Sequence, residues 1–239
     1  MPDFDHHDAP AEDQDELDAV SIEECGEPLV DFLEVCPELV LSPAHPLFEF
    51  PRVHLLRKSV ALMLKDAARR VPAGLQLRIV EGYRPISVQR EHFKHALQEA
   101  RKRFPDADDA KIFLEAGRYS APPDAKTPPP HLTGGAVDLE LIDASGAQLD
   151  FTSPFDLLDI KHAAMHARGL SAQAQENRAL ICEILEPTGL TNYADEWWHW
   201  SYGDNGWALR VGAKCAIYDK VELPTGAKWV GDLSKLTSG

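Results

Sequence analysis

HLTGGAVDLELI, residues 131–142, is the stretch on which the reading of the fold turns. Its second half, AVDLELI (136–142), alternates apolar and polar side chains with the period of two that sends successive residues to opposite faces of a strand. Asp138 and Glu140 then share one face. Its first half is a histidine followed by Gly134-Gly135, where the backbone can bend tightly enough for His131 and Asp138 to converge. A carboxylate set in so apolar a strand needs a partner, because burying it alone is costly. Taken singly, the stretch is equally a capping histidine and a salt-bridged aspartate.

Upstream, YSAPPDAKTPPP (119–130) carries five prolines in twelve residues, which excludes a helix or a central strand. It reads as an extended loop that delivers the chain to His131. LQLRIV (75–80) alternates like a second strand and runs into Glu81-Gly82-Tyr83-Arg84-Pro85, where glycine and proline end it in a turn. Residues 53–70, VHLLRKSVALMLKDAARR, place apolar side chains at helical spacing, and 87–104 resume a charged helical pattern. Downstream, 172–186 predicts a third helix, broken by Pro187 and Gly189. EWWHWSY (196–202) is aromatic and β-favouring, and a last strand is expected near 214–219. Helices and strands follow no regular βαβ order. The expected class is therefore α+β: one domain with a small central antiparallel sheet flanked by helices.

The chain has 239 residues, 44% of them hydrophobic, which is enough for one domain with a substantial core. No apolar run approaches the ~18 residues of a membrane span. The N-terminus has neither the basic start nor the apolar core of a secretory signal, so a cytoplasmic protein is expected. The formal charge of -15 is unevenly placed: residues 1–28 hold 11 acids and no Lys or Arg, leaving 28 acids against 24 bases elsewhere. Residues 1–28 read as an acidic, solvated leader and 29–239 as the folded domain. Acidity argues against nucleic acid as a partner. Cys25, Cys36, Cys182 and Cys215 form no Cys-x-x-Cys pair, which argues against a zinc ribbon.

A second constellation is Glu196-Trp-Trp-His199-Trp. On a regular strand, residues i and i+3 face opposite sides, so Glu196 and His199 reach one site only across a bulge or turn. The bland reading is an interior aromatic strand with one hydrogen-bonded histidine. Together, the two stretches supply two imidazoles and one carboxylate. That is the ligand set of a catalytic zinc with a position left for water. Glu196 is then the residue type that takes a proton from such a water. Arg84, on the turn after a strand, is placed to hold a carboxylate or a developing oxyanion, or simply to pair with a surface acid. His162 and His166, four apart on an expected helix, lack the Glu of an His-Glu-x-x-His site. His6 and His7 fall in the acidic leader.

EGYRP, HLTGGAVD and EWWHW, in this order and at these separations, resemble the VanX-type D-alanyl-D-alanine dipeptidases. These belong to the zinc D,D-peptidase group that shares its fold with the hedgehog signalling domain. The resemblance runs roughly from residue 50 to 220 and includes SPFDLLD (153–159). It implies one zinc ion per chain held by His131, Asp138 and His199, and Glu196 as the general base that later protonates the leaving amine. It also implies that Arg84 polarises the scissile carbonyl and that Asp156 anchors the substrate ammonium group. The implied substrate is a small dipeptide. The family pattern often reads Ser-x-His-x-x-Gly-x-Ala-x-Asp, and Pro129 stands here where that serine would be. This departure keeps open a D,D-carboxypeptidase or a dipeptidase of different preference. A non-catalytic zinc-binding module is the third alternative.

Overall fold

The computed structural model describes residues 12–43, 50–152 and 162–236. Along the chain run α1 (Gln14–Ala19), β1 (Leu29–Asp31), α2 (Phe32–Val35), β2 (Val40–Leu41), β3 (Arg52–Val53) and β4 (Leu55–Arg57). Then come α3 (Lys58–Arg70), β5 (Leu75–Glu81), α4 (Ile86–Arg103), α5 (Asp109–Gly117), α6 (Pro130–Thr133) and β6 (Ala136–Asp143). They are followed by α7 (Ala172–Leu185), β7 (Thr191–Asn192), β8 (His199–Ser201), α8 (Asn205–Val211) and β9 (Trp229–Val230).

The two alternating segments pair with each other at the centre of a five-stranded sheet of order β2-β5-β6-β8-β7. Leu77 lies opposite Leu141 and Ile79 opposite Leu139, so both strands turn these apolar residues into the core. Arg78 lies opposite Glu140, and the two side chains pair. Four strands are antiparallel, as the sequence predicts; the two-residue β2 adds a parallel edge. The register slips between Ile79 and Glu81, and this bulge sets Glu81 opposite Asp138. Asp138 in turn lies opposite His199 on β8. Three polar positions thus stand side by side across three strands.

The apolar side of the sheet is covered by α3 and α7. Val60, Ala61, Leu64 and Ala67 form the buried stripe of α3, and Ile181, Ile184 and Leu185 that of α7. They close over Leu77, Ile79, Leu139, Leu141, Trp197 and Trp200 in one core. Each large aliphatic side chain buried there contributes about 1.5–3 kcal/mol. Ser171 caps the N-terminus of α7 through the Ala174 amide. α4 and α5 pack through a smaller cluster of Phe93, Ala96, Ala100, Ile112 and Ala116.

The structure differs from the sequence expectations in several places. The helix expected over 53–70 begins only at Lys58, because Leu55–Arg57 pairs with Leu29–Asp31 as an antiparallel ladder. Near 214–219 there is no strand, only an isolated bridge from Ala216 to Ile22. His162 has 3-10 geometry and His166 lies in a turn, so neither is on an α-helix.

Over residues 12–28 part of the acidic segment packs against the rest of the chain. Glu24 accepts two hydrogen bonds from the buried Arg57 guanidinium, at 3.0 and 2.9 Å. Glu27 accepts from the Ser59 amide and hydroxyl at 2.9 and 2.6 Å, and Glu12 pairs with Arg210. Arg57 and Arg210 thus hold Glu24 and Glu12, while Asp13, Asp15, Glu16 and Glu23 lie exposed. His6 and His7 lie outside the described residues. No described helix is long and apolar enough to cross a membrane.

Candidate active site

The proline-rich loop ends in a single helical turn, α6, with Pro130 at its first position, where a missing N–H costs nothing. His131 therefore sits on a short helix rather than on the loop the sequence suggests. Gly134 closes the turn at φ 72°, a left-handed conformation that favours glycine. At Gly135 a Cβ would stand 2.5 Å from the Tyr202 carbonyl oxygen, so the chain admits no side chain there. Arg57 fastens the turn from outside: its Nε donates to the Thr133 carbonyl at 2.7 Å and its amide to the Gly134 carbonyl at 2.8 Å.

His131 Nδ1 donates to the Gly82 carbonyl at 2.8 Å. A carbonyl can only accept, so the proton sits on Nδ1 and Nε2 is turned toward Asp138 Oδ2, 3.4 Å away. From the adjacent strand, His199 Nδ1 approaches Asp138 Oδ1 at 2.9 Å. The two imidazole rings meet edge to face with centroids 5.0 Å apart. His131, Asp138 and His199 are all buried, and their ligand atoms lie within 4.8 Å of one another. No other such trio converges among the described residues.

This arrangement fits a zinc ion on its own chemistry. Two imidazole nitrogens and one carboxylate oxygen are the donor types a catalytic Zn²⁺ takes, with one position left open. The Gly82 carbonyl behind His131 is the outer partner that fixes the tautomer of a ligand histidine.

Glu196 reaches the same site because it is not on a strand. β8 starts at His199, and Glu196 lies on a turn closed by the His199 amide donating to the Glu196 carbonyl at 3.1 Å. The turn folds positions i and i+3 onto one side, and Glu196 Oε2 comes to 3.9 Å from His199 Nδ1. Its side chain is 29% exposed, against 7–9% for the three candidate ligands, so it stands at the open side of the site.

Arg84 follows the bulge. Its Nε donates to Glu81 Oε1 at 3.0 Å, one terminal nitrogen to Glu81 Oε2, and the other to Gln89 Oε1 at 2.9 Å. Gln89 in turn donates to Ser120 Oγ at 3.1 Å and the Ala121 carbonyl at 2.7 Å, tying Arg84 to the loop that leads to His131.

Burial would make each charge costly, and the charges answer one another. Burial raises the Asp138 carboxyl, but His131 and His199 outweigh it and hold it well below the usual carboxylate range. Burial depresses His131, yet Asp138 carries it above the ordinary histidine value. Burial opposes the Glu81 carboxylate, and Arg84 and His92 reverse the balance to leave it strongly acidic. Glu196 is the exception. Burial raises it and the negative Asp138 adds to this; His199 and Arg84 only partly offset them, and its pKa is pushed up to about 7.

Five of the six residues expected from the sequence thus converge: His131, Asp138, His199, Glu196 and Arg84. Asp156 lies outside the described residues. Sequence reasoning missed Glu81 and Gln89, which brace Arg84, and Arg57, which braces the His131 turn. Glu81 carried one signal, its place beside Gly82 and Arg84 at a strand end.

The family described as D-ala-D-ala dipeptidase (Peptidase M15) matches residues 48–217. The D-alanyl-D-alanine dipeptidase of Synechocystis is 28% identical over 237 residues, covering 85% of this chain and 96% of that protein. That of Enterococcus faecalis is 29% identical over 154 residues, covering 62% of this chain and 72% of that protein. Among solved structures, a point mutant of the vancomycin resistance D,D-pentapeptidase VanY in complex with Zn(II) is 18% identical. The match covers 66% of this chain and 78% of that chain at a TM-score of 0.41.

Proposed function

The chain belongs to the D-ala-D-ala dipeptidase family of peptidases and is a hydrolase, and from that premise we propose that it cleaves the D-alanyl-D-alanine dipeptide to D-alanine with one zinc ion at His131, Asp138 and His199. The observation that supports this reading is that Glu196 Oε2 lies 3.9 Å from His199 Nδ1 while the Arg84 amide donates to the His131 carbonyl at 3.0 Å. Neither residue is needed merely to hold a metal.

Zn²⁺ at these ligands supplies Lewis acidity and lowers the pKa of a water to about 7. Glu196 takes the proton from the attacking water and returns it to the leaving amine. Its place 3.9 Å from His199 at the open side of the site suits both duties. Three N–H groups of Arg84 are committed to Glu81 and Gln89. The remaining two terminal N–H groups are available to the scissile carbonyl oxygen as it becomes an oxyanion. Because the brace is already formed, the guanidinium needs no reorganisation as charge develops. Asp156 is assigned to the substrate ammonium group on the family resemblance alone.

A second reading has one observation in its favour. Pro129, buried at the entry to α6, removes a hydroxyl and an N–H from the place where the family carries serine. Under this reading the substrate is another small dipeptide or an acylated D,D-peptide. The test is zinc stoichiometry together with rates on D-Ala-D-Ala, L-Ala-L-Ala and N-acylated D-Ala-D-Ala. The proposal expects one zinc per chain, cleavage of the free D,D-dipeptide and inactivity of Glu196→Gln with zinc retained. Preference for the N-acylated peptide establishes the second reading. An active Glu196→Gln variant overturns the catalytic assignment.

A further inference from the structure

Glu196 belongs to no strand, and its neighbours are held by others. His199 is fixed by its ladder to Asp138, Trp198 by its carbonyl accepting from the Leu139 amide at 3.1 Å, and Trp197 by its amide donating to the Ala163 carbonyl at 2.9 Å. The backbone of Glu196 has only local contacts: its amide donates to the Tyr193 carbonyl at 3.0 Å and its carbonyl accepts from the His199 amide.

Into the hollow of this turn points the side-chain amide of Asn192, the last residue of β7. Its Nδ2 lies 2.9 Å from the Glu196 carbonyl oxygen, 3.0 Å from that of His199 and 3.5 Å from that of Trp197. All three partners are acceptors, so the nitrogen, not the oxygen, must face them. Its two hydrogens match the two short contacts. One planar group therefore spans both ends of the segment that carries Glu196 and His199. The backbone of Asn192 is itself fixed by pairing with Trp200.

We propose that Asn192 is a positioning residue for Glu196: its amide sets the shape of the 196–199 turn and thereby the place of the base relative to His199. The inference rests on the reading of Glu196 as the general base. The Asn192 side chain does not hold the metal site together, because both ladders of β8, which carries His199, are made by backbone groups, those of Asn192 included. Base position and metal retention are thus separable, and the separation is what a merely structural role would not produce.

The experiment uses full-length protein with zinc. Asn192→Ala is expected to lower kcat on D-Ala-D-Ala about 10- to 100-fold, the usual scale for an outer partner or an ångström-scale displacement of a catalytic group. KM and zinc stoichiometry are expected to stay at the parent level, and a crystal structure to show the Glu196 carboxylate displaced. In a Glu196→Asp background, where the carboxylate is already withdrawn, Asn192→Ala is expected to cost far less than in the parent. If Asn192→Ala fails to fold, Asn192→Ser, which keeps one donor, is read by the same criteria. Parent-level kcat, an equal loss in both backgrounds, or zinc lost in step with activity each overturns the proposal. If Glu196→Gln is itself fully active, the reading of the base fails instead, whatever Asn192 does.

Discussion

Glu81→Gln changes one oxygen for a nitrogen and removes the charge that lets Arg84 stay buried. The Glu81 side chain is 2% exposed and that of Arg84 11%, so water cannot replace the lost partner. Glutamine still offers one acceptor to Arg84 Nε, but its amide donor then faces the guanidinium donor that Oε2 had received. Removing one partner of a buried pair costs about 3–5 kcal/mol, and the surviving acceptor places this variant near the lower end. For a chain of this size each kcal/mol moves Tm by roughly 2–4 °C, so a fall of roughly 6–12 °C at pH 7 is expected. The sign with pH follows from the depressed Glu81 pKa. The folded carboxylate binds its proton far less readily than the unfolded one, whose pKa is about 4.3. Its contribution is present above that value and is lost as pH falls toward the folded pKa. Melting curves of parent and variant should therefore lie furthest apart at pH 6–8 and converge in acid. Replacing both partners, as Glu81→Leu with Arg84→Met, should cost less than Glu81→Gln alone, since no buried charge is left unpaired. Coincident melting curves at pH 7, or a gap that does not narrow below pH 4, would refute the ion-pair account.

Gly135→Ala drives a Cβ against the Tyr202 carbonyl oxygen between His131 and Asp138; a loss of about 1–3 kcal/mol is expected in denaturant unfolding, with weakened zinc retention by equilibrium dialysis. Removal of residues 1–28 strips Glu24 and the Glu27 carbonyl from the Arg57 guanidinium, and calorimetry should show Tm lowered by roughly 5–10 °C; an unchanged Tm would show that the segment is ornamental to stability. The Cys182 thiol is pushed up to about 11 by burial, with Glu186 and Glu183 adding to it. Iodoacetamide at pH 8 should therefore label the exposed Cys25 in the native protein and spare Cys182 until denaturant is added, as followed by peptide mass spectrometry.

The parts of the fold legible in the sequence are those whose pattern is set by one interface. The alternation in 75–80 and 136–142 reports a strand with one face in the core, and both strands form there. The periodicity over 172–186 reports one buried helical stripe. Leu55–Arg57 was not legible because its apolar residues sit in register with the helix that follows, while its partner strand lies at 29–31. The contacts of the acidic segment were hidden for a related reason. Its charge density is that of a solvated tail, and nothing local reveals that Arg57 and Arg210 pair with its Glu24 and Glu12.

The same division runs through the site. The candidate ligands, base and oxyanion donor come from a short menu of side chains, so their chemistry is visible as soon as they cluster in the sequence. Their supports come from no such menu. Asn192 donates to two backbone carbonyls, Gln89 joins Arg84 to Ala121, and Arg57 takes the Thr133 carbonyl. Backbone carbonyls occur at every residue, so a donor aimed at them leaves no mark in composition or spacing. The conflict between a two-residue strand period and a three-residue gap from Glu196 to His199 was the one trace of such a support. A turn there was required if both residues served one site, and a turn outside any ladder needs something to hold it. The Asn192 amide meets that need together with the Tyr193 amide, which donates to the His199 carbonyl at 3.0 Å, and it does so from four residues before Glu196.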